Sequence, residues 1–352
     1  MTANYPTKCW YVAATSAELV DTPLARRLLG RDVVLWRPSG GPAVAFDDRC
    51  AHRGFPLSDG HVDNDRLVCG YHGCAYLADG SCVHVPTQSA VPAGMGVRAF
   101  PILEEPPFIW IWLGPPAAAA GSRPPRTPWL HDPGWSTFTD TWHVRANYLM
   151  VHEHYLDFSY APVVYREDLP PGTEQIPAFN DIEVTETTVS YTRSLPQAPL
   201  AAWEAEATGL DPAGLYARRE SGRFASPAMH VQRWELEANG TTYANVRTHA
   251  ITPESDTETH VFMFASYNYA PNDESAAATL QSFVGRLVDR DTAILERVAA
   301  HTGYDRWRSG VEFQADAAAL RARRIVAVML AKEAGRSALR PGWSPVRTAT
   351  TN

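Results

Sequence analysis

The stretch Cys50 to Gly60, CAHRGFPLSDG, answered by Cys69 to Tyr76, CGYHGCAY, decides how this chain of 352 residues folds. Sixteen residues separate His52 from Cys69. Each half offers one thiolate and one imidazole from a single short loop. Two cysteines and two histidines hold a [2Fe–2S] centre when the cysteines take one iron and the histidines the other. The same set holds a tetrahedral zinc, which staples small domains. Spacing alone leaves both open.

Outward from these loops the chain reads as short strands and tight turns. Val33 to Trp36 and Ala43 to Phe46 flank Ser39-Gly40-Gly41, and Cys74 to Leu77 and Ser81 to Val85 flank Asp79-Gly80, a hairpin signal. Phe108 to Leu113 closes the set. Composition then shifts, and residues 115–128 (PPAAAAGSRPPRTP) read as a proline- and alanine-rich crossing. We therefore expect one domain over 1–114, a linker over 115–128 and a larger domain over 129–352. In the larger part, helical texture runs from Asn147 to Tyr160. His230 to Leu236 and Thr242 to Ile251 flank Asn239-Gly240 as a hairpin, and His260 to Tyr269 is a further strand. Asp273 to Ala300 and Asp316 to Lys332 are amphipathic helices. This order predicts an α+β domain with helices on an antiparallel sheet.

The residues around the four donors favour iron over zinc. C-x-H-R followed by L-S-x-G, then C-x-Y-H-G with Tyr76 beyond it, resembles the Rieske domain of the aromatic-ring-hydroxylating oxygenases, in particular the vanillate O-demethylase-like oxygenase components. The resemblance implies a small all-β domain with a [2Fe–2S] cluster on Cys50, His52, Cys69 and His72. It implies a larger α+β catalytic domain of helix-grip type behind it. Gly54, Phe55 and Tyr71 occupy the neighbourhood where cytochrome-complex Rieske proteins carry extra cysteines. Cys74, where the oxygenases usually have Trp, is read as packing, as are Cys9 and Cys82.

The resemblance continues through NYLMVHEHYLDFSYAPVVY, Asn147 to Tyr165. There it implies a mononuclear Fe(II) on two histidines and a later aspartate. It also implies an aspartate relaying electrons from the cluster histidine of one subunit to the iron ligand of its neighbour. Matched residue by residue, Asp157 falls at the bridging aspartate, His154 at an asparagine, and Tyr160 and Tyr165 at the two histidines. DRDTAILE, Asp289 to Glu296, puts the carboxylate at Asp291. Periodicity singles out Asp291 as well: Leu280, Phe283, Val284, Leu287, Val288, Ile294, Leu295 and Val298 form one apolar stripe, and Asp291 lies inside it. A buried carboxylate needs a metal, a cation or several donors. Phenols with pKa near 10 are poor Fe(II) ligands beside imidazole, so an intact triad is not available at the matched positions. Tyr160 and Tyr165 are expected to fill that pocket and bond Asp291, with His154 the best-placed imidazole. His143, His152, His230, His249 and His260 are the others considered, and His152 is read as structural.

Composition bounds the function. Hydrophobic residues at 45% and charged residues at 20% describe an ordinary folded chain, and the length suits two domains at about 150 residues each. A net charge of −8 argues against nucleic acid or an anionic membrane as main partner. No apolar run reaches about 18 residues and no signal-like start is seen, so a cytoplasmic setting is expected. The resemblance implies a homotrimer fed by a reductase or ferredoxin, acting by hydroxylation or dealkylation on a small, aromatic-type molecule. Other readings are a redox subunit in a mixed trimer or hexamer with a triad-bearing paralogue, and a repurposed binding protein. Trp203, Phe224, Trp234, Phe262 and Phe264 are the candidate pocket aromatics.

Overall fold

The computed structural model describes residues 4–303 and 311–335. The expected end of the larger domain, at 352, lies outside them. The first part is all-β. Trp10–Thr15, Phe108–Trp112 and Ile102–Glu105 form a three-stranded sheet, and Leu24–Leu28, Arg31–Trp36, Val44–Asp47 and Ala99–Phe100 a four-stranded one. A second four-stranded sheet, His61–Asp63, Arg66–Val68, Ala75–Tyr76 and Cys82–His84, carries the loop of Cys69. Asp79-Gly80 closes its last hairpin, and Leu77 N–H donates to Ser81 O at 3.0 Å.

The second part is built on a seven-stranded antiparallel sheet. Its spatial order is Ser136–Val144, Thr259–Tyr267, Thr241–Pro253, Met229–Ala238, Tyr216–Ala225, Thr188–Ala198 and Asp181–Val184. Asn239 and Gly240 both have positive φ, 52° and 74°, the backbone that a two-residue hairpin requires. Among the described residues five α-helices accompany the sheet: α1 (Tyr148–Leu156), α2 (Ala161–Val164), α3 (Ala202–Thr208), α4 (Glu274–Thr302) and α5 (Ala317–Glu333). The Asp273 carboxylate caps α4 by accepting from Ser275 N at 2.9 Å and Ala276 N at 3.2 Å. Ala276, Leu280, Phe283, Val284, Leu287, Asp291 and Leu295 are its buried residues, so the stripe is the inward face. Val298, at its end, is 40% exposed.

The expected helix over Asn147 to Tyr160 is shorter and broken. α1 stops at Leu156, because Asp157 leaves helical backbone (φ −108°, ψ 104°) and its Oδ1 accepts from Ser159 N at 2.8 Å. This Asx turn competes with the next helical bond. Pro162, which fits a helix start, opens α2.

The two parts share one core. Trp10, Tyr11, Val12 and Trp110 pack in one cluster with Ala250, Phe262 and Phe264 of the large sheet. Phe108 meets Phe264 edge-on at 4.9 Å, and Thr252 Oγ1 donates to Val12 O at 2.7 Å. The cluster loops are thereby fixed relative to the sheet. Among the described residues, no helix is long and apolar enough to cross a membrane.

Candidate metal centres

The loops at Cys50 and Cys69 repeat one local geometry. Cys50 N–H donates to Phe55 O and Gly54 N–H to Cys50 O, both at 2.9 Å. Cys69 N–H donates to Cys74 O at 2.9 Å and Gly73 N–H to Cys69 O at 3.1 Å. Gly54 and Gly73 close these turns at φ 71° and 70°, where a side chain is strained. Each turn buries its cysteine and lifts its histidine outward: Cys50 and Cys69 are buried, His52 and His72 exposed. The imidazoles lie 4.5 Å apart, centroid to centroid. Burial raises the Cys69 thiol pKa, while the N–H groups of Tyr71 and His72 pull it back down.

This geometry separates iron from zinc. A tetrahedral zinc with bonds of about 2.0–2.3 Å needs its donors within roughly 4 Å of one another. Among the described residues, no three of these four donors lie within 4.8 Å of one another. Paired donors on two irons need no such convergence. Tyr76 completes the site. Its hydroxyl sits 3.1 Å from Cys50 Sγ and accepts from Ala51 N at 3.2 Å, which leaves its proton free for the sulfur. Cys74 is buried in the core beneath the loops, and burial pushes its thiol up to about 11.

The second centre lies between α1, α2 and α4. His154 Nε2 is 2.8 Å from Asp291 Oδ1 but off the line of a hydrogen bond, so this buried nitrogen touches the carboxylate and has no aligned partner. Tyr165 donates its hydroxyl proton to Asp291 Oδ1. Tyr160 stacks on His154 at 4.3 Å with a 19° tilt and meets Tyr165 edge-on at 5.7 Å. Burial raises the Asp291 carboxyl above its usual range, with His154 opposing. Burial and the Asp291 charge push the Tyr160 phenol well up. Asp157 turns onto Ser159, and lines an open groove together with Glu153, His154 and Tyr160.

The other histidines go elsewhere. His152 Nε2 bonds Pro227 O at 3.0 Å. Tyr155 lies parallel to His249, at 4.1 Å, and to His230, at 5.8 Å, and the two imidazoles sit side by side on neighbouring strands, 6.0 Å apart. His143 and His260 flank Glu254 at 2.7 Å and 3.3 Å. Of the described residues, these last three alone form a trio of His, Cys, Asp or Glu donors close enough for one ion. The donors at Asp291 are therefore one carboxylate, one imidazole and two phenols. They do not fit a two-histidine, one-carboxylate iron site.

Beside Asp291 a cavity opens between the large sheet and α4, walled by Phe138, Phe158, Tyr165, Trp203, Trp234 and Phe283. Trp203 and Trp234 are thus wall residues. Phe224, Phe262 and Phe264 are not: they pack in the core.

Comparison with known proteins agrees with this architecture. Residues 9–101 match the Rieske [2Fe-2S] domain, and residues 144–332 match the vanillate O-demethylase oxygenase C-terminal domain. A putative toluene-4-sulfonate monooxygenase system iron-sulfur subunit of Comamonas testosteroni is 30% identical, over 82% of this chain and 86% of its own. The oxygenase component of dicamba O-demethylase from Stenotrophomonas maltophilia is 30% identical, over 84% and 88%. The crystal structure of dicamba monooxygenase bound to dicamba superposes with a TM-score of 0.86 at 27% identity, covering 94% of this chain and 99% of that one. The class is that of two-domain Rieske oxygenase components. Within it, this chain belongs to the vanillate O-demethylase oxygenase family.

Proposed function

We propose that this chain is the electron-accepting oxygenase component of a system that hydroxylates or demethylates a small aromatic-type molecule. Cys50, Cys69, His52 and His72 would hold a [2Fe–2S] cluster, which supplies one-electron transfer when bound. The cysteines anchor from the buried side. His52 and His72 present their ring edges to solvent, where a reductase or ferredoxin docks and where a neighbouring subunit is met. Asp157, at the rim of the second centre, is the relay candidate across that subunit interface, in a homotrimer. The division into 1–114, a 115–128 crossing and 129–352 belongs to this reading. The relatives support it, being named as oxygenase or iron-sulfur subunits of such systems.

The single observation that carries the proposal is the pairing of two buried thiols with two exposed imidazoles. The second centre limits it. Asp291 is already bonded to Tyr165 and faces one imidazole only, so oxygen activation in this chain's own pocket is not part of the proposal. Anaerobic purification with metal content by element, and an optical spectrum, test both points. Two irons per chain and a colour bleached by dithionite support the reading. A colourless protein with one tightly held zinc overturns it, and a third iron overturns the account of the second centre.

A further inference from the structure

The cavity beside the second centre carries an unanswered charge. Its wall includes three carboxylates, and each is already paired with an arginine. Asp168 meets Arg286 at 3.0 Å and Arg290 at 2.7 Å. Glu204 meets Arg218 at 2.7 Å, and Glu235 meets Arg233 at 2.8 Å. Arg247 also lines the cavity, from the strand Thr241–Pro253. No carboxylate or hydrogen-bond acceptor of the described residues pairs with its guanidinium, which lies over the Phe283 ring at 5.5 Å. Burial brings its pKa down to about 10, with the phenols of Tyr160, Tyr155 and Tyr269 opposing. Part of its surface stays open to the cavity.

A desolvated charge without a counter-ion is costly, and an anion brought beside it lowers that cost. The rest of the cavity is apolar and aromatic. Trp203 stacks on Phe283 at 3.9 Å with an 11° tilt, and Trp234, Phe138 and Phe158 line the same cavity. The cavity volume is about 100 Å³, the scale of a single ring.

We propose that Arg247 is a specificity-determining residue that binds the oxyanion of a single-ring aromatic acid, with the ring held by Phe283 and the tryptophans. This rests on the reading of the cavity as a substrate site. Carboxylate and sulfonate each present a pair of oxygens to which a guanidinium fork can donate two N–H bonds.

The test uses the cluster-loaded protein and titrates benzoate, benzenesulfonate and the neutral benzamide, followed by calorimetry and by quenching of tryptophan emission. At least one anion binds, and benzamide binds about tenfold or more weakly. In Arg247→Gln the preference disappears, and Arg247→Lys keeps part of it. Without ligand, Arg247→Gln melts no earlier than the parent, since an unpaired charge has been removed. Benzamide binding as tightly as both anions, or an unchanged preference in Arg247→Gln, overturns the proposal while leaving the cavity a ligand site. No binding by any of the three overturns both the proposal and the reading beneath it.

Discussion

The loops at Cys50 and Cys69 and the pocket at Asp291 both gather metal-ligating side chains, yet they hold them in opposite ways. In the loops, backbone turns closed by Gly54 and Gly73 fix the donors. In the pocket the side chains close on themselves: Tyr165 bonds Asp291, His154 contacts it, and Tyr160 stacks on His154. A site left open by its backbone is ready for a cofactor. A site whose carboxylate is already bonded by a phenol resembles a polar core. The difference is one of donor identity, since two phenols stand where the resemblance places two imidazoles.

The largest expected effect removes the first region. Cys69→Ser leaves the protein colourless with no iron, because a cluster held by four donors does not survive the loss of a buried thiolate, and metal binding is folding free energy. Asp291→Asn, in the second region, keeps both irons and the spectrum. Equal loss of iron in the two variants would erase the contrast. Next comes the reverse change. Tyr160→His together with Tyr165→His supplies two imidazoles beside Asp291, and elemental analysis should find a third iron per chain. An unchanged iron count in a well-folded double variant would mean that these are not the ligand positions.

The regions also differ in how much of them is legible in the sequence. Both donors of each cluster pair sit in one turn, so spacing alone reveals them. The stripe on α4 makes the burial of Asp291 equally visible, since helical periodicity is local. The partner of Asp291 is not, because Tyr165 lies 126 residues away and meets it only through the packing of α2 against α4. The end of α1 departs from the helical pattern for a local reason: Asp157 forms its own Asx turn in place of another helical bond. Tyr76 is visible as part of the motif, but its contact with Cys50 is not. Arg247 carries no motif. Only strand alternation with Tyr243, Asn245 and His249 places it on the inward face of the sheet.

Acid sharpens the comparison by acting on the region around α1. Burial holds His152 at about 4 and His230 at about 3, and lowers His249 as well. In the unfolded chain these rings take protons near pH 6.5. Below that pH the unfolded state binds more protons than the folded one, so stability falls as pH drops from about 6.5 towards 4. The slope is about 1.4 kcal/mol per pH unit for each histidine fully in this regime. Denaturant midpoints at pH 7 and pH 5 measure it. His230→Gln should flatten the slope, and a parent that is equally stable at both pH values would show these rings to be solvated. Within the pocket, Tyr165→Phe leaves a buried carboxylate short of a donor and costs about 1–3 kcal/mol. Adding Asp291→Leu removes the orphaned charge and should restore most of that loss. A double variant no more stable than Tyr165→Phe would show that the carboxylate has other partners.

The smallest effect lies in the loops and tests how an open site is tuned. The Tyr76 hydroxyl is buried, receives Ala51 N–H and faces Cys50 Sγ. A hydrogen bond to a cluster sulfur favours the reduced state, because reduction adds negative charge to the group that accepts it. Tyr76→Phe keeps the ring and removes this one donor, so the cluster should form normally with a lower reduction potential. A differential stabilisation of about 1 kcal/mol corresponds to roughly 40 mV for a one-electron couple. A dithionite-coupled potentiometric titration followed by absorbance resolves a shift of that size. An unshifted potential would mean that the Tyr76 proton points to some acceptor other than Cys50. A lost cluster would show that the hydroxyl holds the loop together, which sets it apart from the Tyr165 hydroxyl, which bonds Asp291.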